Sequence, residues 1–293
     1  MVESRSWLSR LADAANYALL ALIALACILP MLHVLAVSLS DRSATAGGFV
    51  TFWPIGFSLV SYKKVLEAGA FLSAFAVSIE RTVLGAALNM AITVLTAYPL
   101  SKSAREFRGR DLFVWLILFA MLFSGGLIPW FLVIRQFGML NSIWALIIPG
   151  ALPIWNVLLM MNFFREIPRE LEEAAVIDGA SHWQILGRVY IPLSMAPLAT
   201  LTLFAAVFHW NAWFDALVLM TDSTKYPLQT FLRTIIISQD IFQIVRDPSD
   251  YYAFSDRSIK AAQIFVTTLP ILAVYPLLQR YFIAGIRLGA IKG

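Results

Sequence analysis

The stretch EEAAVIDGASHWQILGRVYIP, Glu172 to Pro192, interrupts a chain that is otherwise apolar. From Arg165 to Asp178 stand Arg165, Glu166, Arg169, Glu170, Glu172, Glu173 and Asp178, although only 14% of the 293 residues are charged and 60% are apolar. The island reads as a helix, a turn and a second helix. Pro168 suits a first helical turn, where its missing N–H has no partner to lose. Glu170, Glu172 and Glu173 follow where the positive end of the helix dipole favours them. Ala174 and Ala175 are strong helix formers with almost no side chain. Asp178-Gly179 supplies a stop, since glycine adopts the left-handed cap. Ser181 suits the cap of a second short helix, His182 to Arg188, and Pro192 opens the next apolar run.

The surrounding text sets the class. A mean hydropathy of +0.76, with about half the ~25% charge of a soluble domain, describes an all-α membrane protein. A β-barrel would alternate apolar and polar residues over ~10-residue segments, and the apolar runs here are continuous. Runs near the ~20 residues that cross a bilayer predict six spans: about Tyr17–Leu39, Val77–Leu100, Leu112–Ile134, Ile143–Phe164, Leu193–Met220 and Ala261–Ile283. Several hold prolines, among them Pro30, Pro129, Pro149, Pro153, Pro197, Pro270 and Pro276, which membrane helices tolerate where neighbours satisfy the freed backbone. The organisation expected is an N-terminal segment 1–16, then one six-helix domain over 17–293 carrying the island at 165–192 and an outer loop at 221–258. Arg5 and Arg10 precede an apolar run too long for the core of a cleavable leader, so the run is expected to be the first span.

Six spans place both termini on one side, and Lys and Arg say which. The short loop Lys102–Arg110 carries Lys102, Arg105, Arg108 and Arg110, whereas Arg135–Asn141 carries Arg135 alone. The termini and the island are therefore expected in the cytoplasm. Outside, Asp41–Leu72 is rich in aromatics and Thr221–Ser258 is polar. Glu80 and Arg81, at the expected outer start of the second span, read as an interfacial pair with snorkelling side chains.

Several chemistries are excluded. The lone cysteine, Cys27, allows no disulfide framework and no thiolate metal cluster. The histidines His33, His182 and His209 are scattered without ligand spacing, so no metal site is expected. There is no phosphate-binding G-x-x-x-x-G-K-[ST] loop, no H-E-x-x-H and no basic tract of nucleic-acid type. No span carries a series of ionisable residues for a proton relay, and no internal repeat supports the inverted-repeat plan of ion-driven transporters. The island itself has two readings: an amphipathic loop resting on headgroups, or a docking helix. Helices that bind anionic membranes are usually rich in Lys and Arg, whereas this one is acidic with small residues at Ala174, Ala175, Gly179 and Ala180, which suits a protein partner.

These residues carry a resemblance. Glu173-Ala174-Ala175, three residues, Gly179, nine residues, then Val189-Tyr190-Ile191-Pro192 resembles the EAA motif of the membrane subunits of binding-protein-dependent ABC importers, with Val and Ile in the two apolar places of its I-x-L-P end. TAYPLSKS (Thr96–Ser103), FSGGLIP (Phe123–Pro129), LNSIWALIIPG (Leu140–Gly150), HWNAWFDAL (His209–Leu217) and the terminal Gly289–Gly293 are similar to the sugar-importer branch of maltose type, and FSGGLIP to the branch that imports complex oligosaccharides. The chain as a whole resembles the membrane subunits of alginate oligosaccharide importers, with a neutral sugar or other small solute as the alternative cargo.

The resemblance implies a transport subunit of a bacterial inner membrane, without catalysis of its own. Its partners would be a second membrane subunit, two ATPase subunits that bind ATP and Mg, and an extracytoplasmic solute-binding protein. It implies a role in ATPase coupling for Glu172, Glu173, Ala174, Ala175, Asp178, Gly179 and Ala180, with Glu173 as a charge partner and Gly179 as the turn. The tail, with Lys292 and Gly293, would reach the ATPase subunits, and 221–258 would meet the binding protein. For the solute pathway the candidates are Trp210, Asn211, Trp213 and Asp215, which mix aromatic faces with hydrogen-bonding groups, and Asn156 in the fourth span. The competing roles are an interfacial aromatic belt for the tryptophans and interhelical glue for the asparagine.

Overall fold

The computed structural model describes residues 7–238 and 256–290. Among them the chain is helical, with no strand: α1 Trp7–Ser38, α2 Arg42–Ala46, α3 Val60–Glu67, α4 Gly69–Ser101, α5 Arg110–Leu122, α6 Leu127–Gln136, α7 Ile143–Ile147, α8 Ile154–Arg165, α9 Arg169–Ile177, α10 His182–Ile185, α11 Ile191–Leu193, α12 Met195–Asn211, α13 Phe214–Leu219, α14 Leu228–Ser238 and α15 Asp256–Ala290. Three helical stretches are long and apolar enough to cross a membrane unbroken: Ser9–Ser38, Gly69–Ser101 and Arg257–Val274. Three bent helix pairs reach the same length and apolarity only when taken together: α5 with α6 at 117°, the Ile143–Gly150 stretch with α8 at 48°, and the His182–Leu193 stretch with α12 at 85°. Counting each pair as one span gives the six expected.

The third, fourth and fifth apolar runs are each bent, and each bend has a local cause. Between α5 and α6, Gly126 sits at φ 81°, ψ 178°, a conformation that only glycine takes without strain. In the fourth span a 3₁₀ turn over Ile148–Gly150 contains Pro149, and Pro153 starts α8. In the fifth, Pro192 does not open the span. The helix begun at Ser181 runs through a π-helical segment, Leu186–Tyr190, passes Pro192 and ends at Leu193. Pro192 and Pro197 have no N–H for the carbonyls four residues earlier, which loosens the ladder on both sides of the break at Ser194. The span also stops early: Ala212 is extended, so α12 ends at Asn211 and α13 is a separate short helix.

By contacts the chain forms two units. In the one comprising residues 1–71 and 235–269, α1 is apolar on all sides and only 6% of its most apolar window is buried, as for a helix that meets lipid or another subunit. Ala36, Ala44 and Val50 form a small core beside it. Asp41 caps α2 by accepting from the Ala44 N–H at 2.8 Å, and the Ser38 and Tyr62 hydroxyls bond at 2.7 Å. In the other unit, residues 72–234 and 270–293, the main core joins α4, α8 and the π segment through Ala97, Tyr98, Val157, Met160, Phe164, Ile185 and Tyr190. A second core joins Ile134, Leu146, Ala216 and Leu219.

Candidate functional site

The helix–turn–helix of the island forms as its residues dictate. Pro168 precedes α9, and Glu170 and Glu172 lie in its first turn. At the other end the N–H groups of Asp178, Gly179 and Ala180 donate to the carbonyls of Ala174, Val176 and Ala175 at 3.0, 3.0 and 2.9 Å. Gly179 sits at φ 77°, and a Cβ there would meet nothing within 4 Å, so backbone conformation rather than space demands glycine. Ser181 and Gln184 form a capping box, with the Ser181 N–H donating to Gln184 Oε1 at 2.8 Å.

The outer face of this motif is open. Glu173, Ala174, Asp178 and Gly179 are exposed, and Val176, Ile177 and Trp183 are 54%, 85% and 72% exposed. Ala175 and Ala180 are half-buried against the core. A hollow of ≈ 290 Å³, lined among others by Ala175, Gly179, Ala180 and Arg188, lies on one side, and a cleft of ≈ 740 Å³, reached by Glu173, Arg165, Arg169 and Ser103, on the other.

Glu172 does something different from its neighbours. It turns inward and pairs with Lys102 at the end of α4. Lys102 Nζ also donates to Tyr190 Oη at 2.9 Å, and Tyr190 Oη donates to the second carboxylate oxygen at 2.6 Å. The ammonium stands 4.3 Å from the ring centres of both Tyr98 and Tyr190, a cation–π geometry. Burial raises the Glu172 carboxyl, but hydrogen bonds from Lys102 and Tyr190 and the nearby positive charge outweigh it, leaving it below the usual carboxylate range. This cage ties α9, the end of α4 and the π segment together. Sequence reading missed it, because Lys102 counted only as a loop charge. Beside it, Arg110 Nε and Arg165 both donate to the Leu100 carbonyl, at 3.1 and 3.2 Å, closing the end of α4.

The pathway candidates are dispersed. Asn156 is 7% exposed within α8. Trp210 is 5% exposed and meets Phe75 edge-on, whereas Asn211 is exposed at the end of α12. Trp213 is half-buried, with the Arg233 guanidinium 3.7 Å from its ring centre. Asp215 is bound by Arg81, which corrects the interfacial Glu80–Arg81 pair. The helix α4 starts at Gly69, so Arg81 lies about three turns inside it, with no exposed surface, while Glu80 points outward. Arg81 donates to both Asp215 oxygens, one at 3.1 Å, and to the Ala212 carbonyl at 3.2 Å. Thr230 Oγ1 donates to the Trp213 carbonyl at 2.9 Å. The backbone freed where the fifth span breaks is thus satisfied inside the protein, as hydrocarbon requires.

A further unanticipated residue is Asn141, at φ 60°. Its side-chain oxygen accepts from the Thr221 and Asp222 N–H groups at 2.6 and 3.2 Å, and its carbonyl accepts from Lys225 at 3.0 Å, which fixes the first residues of the loop 221–258. Residues 239–255 of that loop, and the tail candidates Lys292 and Gly293, lie outside the described residues. Among the described residues no group of three or more His, Cys, Asp or Glu could hold a metal ion.

Residues 107–288 match the family model described as "Binding-protein-dependent transport system inner membrane component". Protein LplC of Bacillus subtilis (strain 168) is 41% identical over 284 residues, 97% of this chain and 96% of that protein. The polygalacturonan/rhamnogalacturonan transport system permease protein YtcP of the same organism is 39% identical over 288 residues, 97% and 99% of the two chains. A chain in the crystal structure of a bacterial ABC transporter involved in the import of the acidic polysaccharide alginate superposes with a TM-score of 0.87 at 34% identity, covering 94% of this chain and 98% of that one.

Proposed function

The chain belongs to the binding-protein-dependent transport system inner membrane components, and from that premise we propose that it couples ATP hydrolysis in partner subunits to the import of acidic oligosaccharides. It is the permease of an ABC sugar importer, a transport subunit and not an enzyme.

One observation carries the coupling: α9 presents Glu173, Ala174, Asp178 and Gly179 outward, with hollows on both flanks, while Glu172 anchors it from behind. Such a helix suits a cleft in a protein partner. In this reading the partner is one of two ATPase subunits that bind ATP and Mg, with Glu173 facing a basic residue. A second membrane subunit completes the pathway. The basic loop Lys102–Arg110 supports a cytoplasmic location for the motif and both termini in a bacterial inner membrane. Glu173→Arg should abolish substrate-stimulated ATP hydrolysis while the amount of protein in the membrane stays unchanged. Wild-type coupling in that variant would remove the role.

The substrate class rests on two likenesses of high coverage: one to a transporter of alginate, one to a permease named for polygalacturonan and rhamnogalacturonan. These polysaccharides share the uronate carboxylate. Competition of labelled alginate oligosaccharide uptake by galacturonate oligomers, and its indifference to neutral maltose oligomers, is the expected result. Equal competition by neutral sugars would overturn the assignment.

A further inference from the structure

The inward face of α4 carries more hydrogen-bonding groups than the fold uses. Arg81, Gly85, Asn89 and Thr93 recur at intervals of four residues, and Thr82 falls within the same arc of about 120°, so the five share a face. Arg81 and Thr93 have no exposed surface and Asn89 has 1%. His209 of α12, also 1% exposed, lies against Gly85, where a Cβ would stand 2.5 Å from the imidazole Nε2. Along this line Arg81 Nε, Thr82 Oγ1, Asn89 Oδ1, Thr93 Oγ1 and both ring nitrogens of His209 are buried without a hydrogen-bond partner. From Arg81 to Thr93 the line runs ~18 Å at about 1.5 Å per residue, over half of a ~30 Å hydrocarbon core.

Packing alone does not explain it. In α12, Thr200 and Thr202 return their hydroxyls to the carbonyls of Ala196 and Leu198 at 3.0 and 2.7 Å, an ordinary arrangement for helix threonines. Thr82 and Thr93 make no such bond. An unmatched buried polar group destabilises the fold, and lipid offers it no partner. An apolar face on α4 would avoid that cost. The chemistry along the line is mixed: Arg81 Nε–H donates, Asn89 Oδ1 accepts, and the Thr93 hydroxyl and a neutral imidazole do both. Groups that donate and accept in turn match the hydroxyls of water and of saccharides.

We propose that Arg81, His209, Asn89 and Thr93 form a closed segment of the solute pathway, which meets water and the hydroxyls of a passing saccharide when α12 separates from α4. The proposal rests on the importer reading above. The contact of His209 with a glycine allows that separation, because Gly85 presents no side chain for the imidazole to interlock with.

The test uses the complete transporter in its membrane. Thr93→Val and Asn89→Leu remove unpartnered polar atoms while keeping the number of side-chain heavy atoms. A purely structural role for these atoms predicts unchanged or higher thermal stability and unchanged uptake of an alginate oligosaccharide. The pathway role predicts retained stability with uptake efficiency lowered by about tenfold, mainly through KM. Unchanged uptake in both variants overturns it. As a second measurement, Thr93→Cys in a Cys27→Ser background is treated with a membrane-impermeant sulfonate thiol reagent, with and without ATP and the oligosaccharide. Labelling that appears in one nucleotide condition and is suppressed by the oligosaccharide supports the proposal. Absence of labelling in every condition, or labelling indifferent to the oligosaccharide, overturns it. Failure of the importer reading would show separately, as ATP-independent uptake by the unaltered protein.

Discussion

Arg81–Asp215 and Lys102–Glu172 are both close ion pairs between residues far apart in sequence, yet their surroundings differ. At Lys102 the groups in reach are used: the ammonium meets Glu172, Tyr190 and two aromatic faces, and both Glu172 oxygens accept. At Arg81 the pair itself is bidentate, but Nε and the line of groups beyond it on α4 and α12 bond nothing. A saturated cage has nothing to gain by opening, so it acts as a rigid joint and carries the island with the end of α4. An unsaturated seam held at one end by an ion pair is stable closed and gains new partners when water enters. In the reading proposed above, the difference separates a joint that transmits motion from a seam that yields to it.

The largest effect is expected at Arg81. Arg81→Leu leaves Asp215 charged and unpaired among membrane helices, and the loss should reach about 3–5 kcal/mol, seen as a large fall in Tm of the purified protein. Removing both charges, Arg81→Leu with Asp215→Leu, should recover most of that stability. A single variant as stable as an ordinary surface substitution, within about 0.5 kcal/mol, would show that the pair does not hold the break in the fifth span.

The cage should respond less, because Lys102 keeps 10% of its side-chain surface in contact with solvent against 1% for Arg81, and Glu172 keeps the Tyr190 hydroxyl as a donor when Lys102 is removed. Lys102→Met is expected to cost about 1–3 kcal/mol and to lower transport per ATP hydrolysed more than it lowers hydrolysis. The exchange Lys102→Glu with Glu172→Lys should restore part of the ratio. The pH dependence follows from the lowered Glu172 value. The carboxylate gives stability that is fully present above the unfolded value of about 4.3 and is lost as pH falls through the lower folded value. Tm of the wild type should therefore fall more steeply on the acid side than Tm of Glu172→Gln. Parallel curves would mean that Glu172 is not held ionised by the cage.

How far the sequence reached is visible in these two regions. The six crossings and the island were legible because length, hydropathy and the Pro, Gly and Ser punctuation are local. The bend at Gly126 was marked by Ser124-Gly125-Gly126, although apolar run length alone reads through it. The ion pairs were not legible. Arg81 was placed at an edge because the apolar run was read as starting at Val77, whereas helix α4 starts at Gly69. Its partner stands 134 residues on, beyond a helix break that no period announces. Glu172 was grouped with Glu173 as an outward charge, but a helix turns successive residues by ~100°, and Tyr190 reaches it through a π segment that shifts the register of a regular helix.

Effects no larger than that at Lys102 are expected at two glycines that are required for different reasons. At Gly85 the limit is space: an added Cβ would meet three atoms of the His209 ring at 2.5–2.6 Å, so Gly85→Ala should cost about 1–3 kcal/mol. Removing the ring with His209→Ala should recover much of it, since the obstacle is one side chain. At Gly179 nothing lies within reach of a Cβ, and the cost of Gly179→Ala is the left-handed backbone at φ 77°, about 1 kcal/mol. No second substitution nearby should relieve that cost, whereas Gly179→Asn should reduce it, because asparagine tolerates the left-handed region. Recovery of Gly179→Ala by trimming a neighbour such as Gln184 would mean that the turn is limited by contact. The distinction between a seam closed on a side chain and a surface motif set by its backbone would then fail.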